Sequence, residues 1–483
     1  MSVSESTFTG NDGAIESTDI KQINIYSRTF TNHTGNRRVL TFQGTGLPDN
    51  NVMIKKSSFL SNEGGVIYNR NTSIFVNESI FIKNTLESGE EGIAYVTGYN
   101  ANTTLSNSVF DANTAIVCSV LRMTATQCVN SVGIQCGIIL TSNTFRNNRA
   151  TGFYLGGGVG CFENAIVTIV NTTFSNNTAS NNGGVFNVNT STINIATSTF
   201  TNNSALNSGG AAHFVNCQTT TMDSTFNYNK ASSIGGTFTL DNSNLTAVGT
   251  SFLNSEAGSK GGLLYAFSSS PPPKRTCIEL SNSRLSDNTV VIGGIAGILY
   301  AENCIIDVLM EGNCLDFRNA RENGTLAAIF STTLFVSAND NTATQGGSIY
   351  ACRGSKITGS ITLNGSSDQC PGGSCSTPPS TNRCINYDLT NNDIGRIVGQ
   401  EEFAACSIDS DMNSRPEGEN NKVPIIIASV SIICCILIFL TALVVTMVVI
   451  VKWRKAKRMT KSPSSSTFML QGENSRIPHN TII

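Results

Sequence analysis

Residues 171–184 read NTTFSNNTASNNGG, and the same pattern returns three more times along the chain. The later copies read TSTFTNNSALNSGG (197–210), DSTFNYNKASSIGG (223–236) and GTSFLNSEAGSKGG (249–262). Each copy has an anchor Phe nine residues before a Gly-Gly pair, and successive anchors lie 26 residues apart: Phe174, Phe200, Phe226 and Phe252. A fixed period of roughly 20–50 residues is typical of folds built by stacking repeats.

The pattern extends over most of the chain when two apolar residues are sought seven and five positions before each anchor. Such pairs are Met1/Val3 before Phe8, Ile23/Ile25 before Phe30, Val52/Ile54 before Phe59, Ile74/Val76 before Phe81, Ile138/Leu140 before Phe145, Val167/Ile169 before Phe174, Ile193/Ile195 before Phe200, Leu245/Ala247 before Phe252 and Ile278/Leu280 before Leu285. Thr103/Leu105 before Phe110 and Thr219/Thr221 before Phe226 are weaker members. Alternate apolar residues predict a short strand, because every second side chain of a strand points to the same face.

Corners are predicted between the strands. An Asn follows many anchors by three residues, and we expect it to adopt a left-handed conformation and to hydrogen-bond to neighbouring backbone: Asn62, Asn84, Asn113, Asn148, Asn177, Asn203 and Asn229. Gly-Gly permits the next corner. One such unit cannot bury its inner face alone, so the repeats predict a parallel β-solenoid. A dozen or more coils, with strands about 4.8 Å apart, would form a rod roughly 60 to 70 Å long.

The combination of F-x-x-N with a following G-G-[AVI] resembles the repeats of the chlamydial polymorphic outer-membrane protein family. The resemblance covers about residues 1–350 and implies an all-β, right-handed parallel β-helix that serves as a surface adhesin. The sequence departs from the family's pattern at its end, where a single apolar segment and a basic tail follow. That arrangement is similar to the single-pass surface proteins of some parasitic protists.

The apolar segment, residues 423–451, contains 29 residues without a charged side chain. Since about 20 such residues cross a bilayer, we predict one C-terminal transmembrane α-helix. A basic cluster follows it directly: Lys452, Arg454, Lys455, Lys457, Arg458 and Lys461. Positive charge marks the cytoplasmic side, so residues 452–483 are predicted to form a short cytoplasmic tail. The N-terminal part is then expected outside the plasma membrane.

Glycosylation signals agree with this topology, because N-x-S/T has meaning only in the secretory lumen. Eleven of these sequons occur, at Asn32, Asn71, Asn77, Asn102, Asn171, Asn176, Asn189, Asn202, Asn244, Asn323 and Asn364, and the tail has none. Residues 1–20 lack the basic and apolar regions of a signal peptide. We therefore expect the chain to be truncated or its start site to be misassigned.

Between the repeats and the membrane, residues 351–422 are predicted to form a disulfide-stapled cap and stalk. Its cysteines are Cys352, Cys370, Cys375, Cys384 and Cys406. Zinc is the alternative, but CPGGSC lacks paired histidines and an outside compartment favours oxidation. The pairing cannot be deduced. Before this segment, Pro271 to Pro273 predict a stiff projecting loop, either a contact site or a tolerated insertion.

Composition and motifs narrow the function classes. Charged residues make up 13% of the chain and the net charge is −2, which argues against a nucleic-acid partner. No pattern predicts catalytic residues, a metal or a cofactor, and His213 in GGAAHF is interpreted as a coil residue and not a base. Glycoside cleavage requires two positioned carboxylates, and acidic residues do not recur at one position of the coils.

These observations favour a type I surface glycoprotein that acts as an adhesin or as a displayed shield, with host-cell or matrix glycans or proteins as expected partners. The alternative is a membrane-tethered β-helix that binds or cleaves polysaccharides, as pectate lyases do. A third hypothesis is a receptor that signals through the tail.

Overall fold

The computed structural model describes backbone between residues 2 and 402 and side chains between Thr7 and Glu302. The described part excludes residues 5–6, 11–12, 19–20, 36, 46–49, 88–91, 99–101, 125–136, 154–155, 270–274, 292–296 and, beyond residue 302, everything between the strands named below. Within it, no helix is long and apolar enough to cross a membrane. The predicted span at 423–451, the basic cluster after it and the Pro271 to Pro273 loop lie outside the described residues.

The prediction of a parallel β-solenoid is confirmed, since every coil contributes strands to the same stacked sheets. Sheet 1 receives two strands from each coil. The strands with the alternating apolar residues are β1 (Ser2–Ser4), β4 (Gln22–Tyr26), β7 (Asn51–Lys55), β10 (Ser73–Asn77), β14 (Thr103–Ser106), β18 (Gly137–Thr141), β22 (Ile166–Val170), β26 (Thr192–Ala196), β30 (Gln218–Met222), β34 (Asn244–Val248), β38 (Arg275–Ser281), β42 (Ile305–Glu311), β45 (Thr333–Ala343) and β47 (Lys356–Gly365). The anchor strands are β2 (Thr7–Thr9), β5 (Thr29–Thr31), β8 (Ser58–Leu60), β11 (Ile80–Ile82), β15 (Val109–Asp111), β19 (Thr144–Arg146), β23 (Thr173–Ser175), β27 (Thr199–Thr201), β31 (Thr225–Asn227), β35 (Ser251–Leu253), β39 (Arg284–Ser286) and β43 (Cys314–Asp316).

Two further sheets complete the coils. Sheet 2 consists of β12 (Thr85–Leu86), β16 (Thr114–Ala115), β20 (Arg149–Ala150), β24 (Thr178–Ala179), β28 (Ser204–Ala205), β32 (Lys230–Ala231), β36 (Glu256–Ala257) and β40 (Thr289–Val290). Sheet 3 consists of β3 (Ile15–Thr18), β6 (Leu40–Gln43), β9 (Ile67–Arg70), β13 (Ala94–Thr97), β17 (Leu121–Thr124), β21 (Gly160–Glu163), β25 (Phe186–Asn189), β29 (Ala212–Val215), β33 (Phe238–Asp241), β37 (Leu264–Phe267), β41 (Leu299–Glu302), β44 (Ala327–Phe330), β46 (Ser348–Cys352) and β48 (Ile385–Asp388).

Parallel pairing continues along the stack as far as β47. The next pairings are antiparallel, because β48 runs against β46 and the last strand, β49 (Ile397–Glu402), runs against β47. These two strands belong to the segment predicted as cap and stalk. The side chains of its five predicted disulfide cysteines lie outside the described residues.

The solenoid core is a stack of the anchor side chains and the alternating apolar residues. Phe rings from ten successive coils stack almost face to face, with ring centroids 4.5 to 5.2 Å apart between Phe8 and Phe252. The two weaker pairs also belong to the core rows, since Thr103, Leu105, Thr219 and Thr221 are all buried. Phe8 and Phe30 show that the anchors predicted from unequal spacing are in register, because they pair directly across β2 and β5.

The predicted role of the Asn three residues after the anchor is wrong in its backbone conformation. The left-handed residue is the one before it, two positions after the anchor, with φ between 51° and 56° at Asn32, Ser61, Lys83, Ala112, Asn147, Asn176, Asn202, Tyr228, Asn254 and Asp287. This left-handed step turns the chain, and the next side chain, the Asn, is buried.

The buried asparagines form a ladder along the solenoid axis, which confirms the expected bonding to neighbouring backbone. Asn177 donates from Nδ2 to the Phe145 carbonyl of the preceding coil and to Oδ1 of Asn203 in the next coil, each at 3.0 Å. Its own Oδ1 accepts from the backbone N–H and the Nδ2 of Asn148, at 3.1 and 3.0 Å. Every amide in such a ladder is satisfied only when a coil lies on each side of it.

A second ladder runs through the residue two positions before the anchor. Ser198 illustrates it: the hydroxyl donates to the Ala196 carbonyl at 2.7 Å and accepts the backbone N–H of Thr172 from the preceding coil at 3.1 Å. The backbone N–H of Ser198 in turn donates to the Ser224 hydroxyl at 3.1 Å. Polar side chains therefore satisfy the buried backbone at both ends of each anchor strand.

The Gly-Gly corner is confirmed. Gly183 has a φ of 66°, in the left-handed region, and a Cβ at Gly184 would overlap the carbonyl oxygen of Gly210 in the next coil. The first glycine thus provides the turn, and the second allows two coils to approach closely.

Replacing Asn177 by Ala should lower the free energy of unfolding by at least about 3 kcal/mol, because several buried donors and acceptors lose their partners together. Chemical denaturation of the full-length protein measures this. Asn194→Ala, at an exposed position on the outer face of β26, is the matched control and should change stability by no more than about 0.5 kcal/mol. Equal effects of the two substitutions would contradict a stabilising ladder.

Candidate functional site

The sequon asparagines lie at accessible positions. Nine of the eleven fall among the described side chains: Asn32, Asn171, Asn176, Asn189 and Asn202 are exposed, and Asn71, Asn77, Asn102 and Asn244 are partly exposed. By contrast, eleven asparagines are buried in the described part of the chain, and none of them begins a sequon. Asn323 and Asn364 lie outside the described side chains. The repeat therefore separates structural asparagines from possible glycan acceptors.

This separation has a local cause. Asn176 and Asn202 occupy the left-handed corner, and the next residue of each sequon is the ladder asparagine, Asn177 or Asn203. The hydroxyl residue that completes the sequon begins a strand of sheet 2. The corner amide therefore points away from the core, while its neighbour in sequence is held inside.

One disulfide is present among the described residues, between Cys118 and Cys161, which are 43 residues apart. The sequence offered no signal for it, because both cysteines lie in coils with irregular spacing, and only alignment in three dimensions brings them together. Disulfides persist in oxidising compartments. Cys217 is different: burial raises the pKa of its thiol to about 11, so it is unreactive at neutral pH.

His213 and Ser208 form the pair closest to a catalytic arrangement, with 3.2 Å between Ser208 Oγ and His213 Nδ1. Asp241 lies on the adjacent strand β33, opposite Val215, and its charge acts on the imidazole. However, the Ser208 hydroxyl donates its single proton to Asn182 Oδ1 at 2.7 Å.

The tautomer follows from that bond. Since Ser208 Oγ has no second proton to give, His213 Nδ1–H must donate to Ser208. A general base would have to accept the serine proton at this nitrogen, which is the reverse arrangement. Ser208 is also only 2% exposed. The group thus links adjacent coils and does not activate a nucleophile.

Metal-binding geometry was sought in the same way. Among the residues with described side chains, no group of three or more His, Cys, Asp or Glu is positioned to hold a metal ion.

An ion-paired aromatic cluster lies on the outer face of sheet 3 near the end of the described side chains. Lys260 Nζ lies 3.1 Å from Glu302 Oε2 and 4.5 Å from the centre of the Tyr300 ring. Burial acts to raise the pKa of Glu302, but bonds from Lys260 and Tyr265 outweigh it, and the pKa is lowered overall. Because Tyr300 is only 1% exposed, this cluster stabilises the stack and offers little surface to a ligand.

Comparison with known proteins gives no relative: no family model, curated protein or solved structure matches the chain. The family resemblance of the repeats therefore stays an interpretation of the sequence.

The pKa of His213 is lowered from 6.5 to about 4, mainly by burial, with the Asp241 charge opposing the shift. The unfolded chain binds a proton at pH values where the folded chain does not, so His213 should cost stability as the pH falls from 6.5 to 4. Over that interval we expect a loss of about 3 kcal/mol from this residue.

His213→Asn should remove that part of the pH dependence, and Asn already occupies the equivalent position in the preceding coil, at Asn187. Denaturation midpoints of both proteins at pH 7.5 and 4.5 measure the difference. Parallel pH profiles for the two proteins would contradict the prediction.

Proposed function

We propose that this protein is a type I single-pass glycoprotein of the plasma membrane, whose right-handed β-helix acts outside the cell as an adhesin or a displayed shield. The observation that carries the proposal is the exposure of the sequon asparagines beside a fully buried asparagine ladder. The Cys118–Cys161 disulfide is consistent with an oxidising compartment. A transmembrane helix at 423–451 would anchor the chain, with the basic cluster on the cytoplasmic side.

The charge pattern supports a glycan-covered surface. Residues 150–229 contain no Lys or Arg and only two acidic residues, Glu163 and Asp223, whereas four sequons fall in the same interval. Soluble proteins usually rely on surface charge to avoid association. In this part of the stack, glycans on Asn171, Asn176, Asn189 and Asn202 would supply the hydration that charge supplies elsewhere.

The runner-up is a tethered β-helix that cleaves polysaccharides. It predicts release of reducing or unsaturated ends from a polysaccharide, whereas an adhesin binds its ligand without turnover. The third hypothesis, a signalling receptor, requires the tail. Attachment that survives deletion of residues 459–483 would separate adhesion from signalling.

Protein isolated from the cells that make it should lose apparent mass when its N-glycans are removed enzymatically. Asn176→Gln and Asn202→Gln should each abolish one glycan, because both asparagines are exposed at a corner. Asn147→Gln is the matched control, since Asn147 occupies the same left-handed corner but does not begin a sequon. Unchanged mobility after deglycosylation of the wild type would contradict the proposed topology.

Cells that lack the protein should attach less to host-cell or matrix layers, and the full-length protein should restore attachment. The tail-deleted protein should restore it equally well. Antibody against the N-terminal part should bind intact, non-permeabilised cells. Labelling that appears only after permeabilisation would overturn the proposal.

A further inference from the structure

Tyrosine and arginine side chains form a continuous column on the outer face of sheet 3. Tyr68 of β9 pairs with Tyr95 of β13, which pairs with Arg122 of β17, so the three occupy equivalent positions in successive coils. All three are partly exposed. Arg70, two residues after Tyr68 and on the same face, is fully exposed. We call these four residues the Tyr/Arg column.

The side chains of the column form a stacked surface. The ring centroids of Tyr68 and Tyr95 are 5.6 Å apart with planes tilted by 52°, and the Arg122 guanidinium carbon lies 5.9 Å from the Tyr95 ring centre. Aromatic and guanidinium planes in such contact limit each other's rotation, which reduces the entropy lost when a ligand binds. The surface is therefore partly organised before any ligand arrives.

The column has defined ends. Toward the N-terminus it meets an open cleft lined by Glu16, Thr41, Arg37 and Arg38, and Thr41 is the residue paired with Tyr68. Toward the C-terminus, Arg122 pairs with Cys161, whose disulfide to Cys118 closes the face. An occupant would thus lie along the solenoid axis over a few coils.

Charge distinguishes these coils from the rest of the chain. Residues 21–149 contain eleven Lys and Arg against seven Asp and Glu, although the whole chain has a net charge of −2. The excess of arginine on an outer face favours an anionic partner. Guanidinium groups bind carboxylate and sulfate oxygens through paired hydrogen bonds.

The spacing indicates a polymer with a short repeat. The column presents one ring or guanidinium in each coil, about every 4.8 Å along the axis. A polysaccharide can place the apolar face of a sugar ring on each tyrosine and an acidic group near each arginine. A peptide would have to pair its backbone with a sheet edge, and the Tyr/Arg column lies on a sheet face.

We propose that the Tyr/Arg column is a docking site for an anionic polysaccharide that carries carboxylate or sulfate groups. The site deepens the adhesin proposal by naming the ligand class, and it rests on that proposal for its biological role.

The test measures retention of the purified full-length protein, in detergent, on immobilised polygalacturonate, heparin, neutral dextran and poly-glutamate. Binding is expected to polygalacturonate or heparin, with little to dextran, and should weaken as salt increases. Tyr95→Ala and Arg70→Gln should each lower the affinity at least tenfold. Tyr228→Ala and Lys230→Gln, exposed residues on other faces, are the matched controls and should bind as the wild type does.

Asn71, a sequon at the corner next to Arg70, requires its own control. Asn71→Gln should retain binding, which shows that no glycan at this corner is responsible. Denaturation midpoints verify that each variant is folded, and Arg70→Gln, at a fully exposed position, keeps the test valid should Tyr95→Ala unfold.

Three outcomes would overturn the proposal: no binding to either anionic polysaccharide, binding unchanged by both column variants, or stronger binding to poly-glutamate, which would indicate an acidic peptide. The assay uses purified protein and does not depend on membrane topology. Surface labelling with failed retention would therefore reject the docking site alone, whereas retention without surface labelling would reject the proposed function alone.

Discussion

A buried asparagine that is satisfied only by its neighbours on both sides is the constraint on which the rest of the solenoid depends. Asn148, Asn177 and Asn203 each accept two hydrogen bonds from the preceding coil and donate one to the next. A burial cost that would be prohibitive for one isolated amide becomes favourable in a long stack. The apolar rows alone would tolerate a slip of one residue, whereas the ladder accepts only one register.

This constraint frees the outer surface. Because the core rows and the two polar ladders hold the coils together, outward side chains can change from coil to coil without loss of the fold. Residues 150–229 carry almost no charge and four sequons, whereas the coils before them carry arginine and tyrosine on sheet 3. One scaffold can thus present a glycan-covered segment beside a segment suited to binding.

The sequence predicted the core well, because a strand has a period of two and the anchors recur. It predicted even the weak pair Thr219/Thr221, whose positions follow from spacing and not from hydrophobicity. It misplaced the left-handed residue by one position, since Asn suits both a left-handed corner and a buried ladder, and composition does not separate these roles.

The outer columns could not be predicted, because the number of residues in a coil varies. The interval from Phe81 to Phe110 is 29 residues, and the next, to Phe145, is 35. Only the pairing of strands shows that Tyr68, Tyr95 and Arg122 share a column, or that Cys118 meets Cys161. A double-mutant cycle tests the central claim most directly. Asn148→Ala and Asn177→Ala should couple by more than about 1 kcal/mol, while Asn148→Ala and Asn229→Ala, which share no bond, should be additive within about 0.5 kcal/mol. Equal coupling in both cycles would contradict a ladder built from neighbour to neighbour.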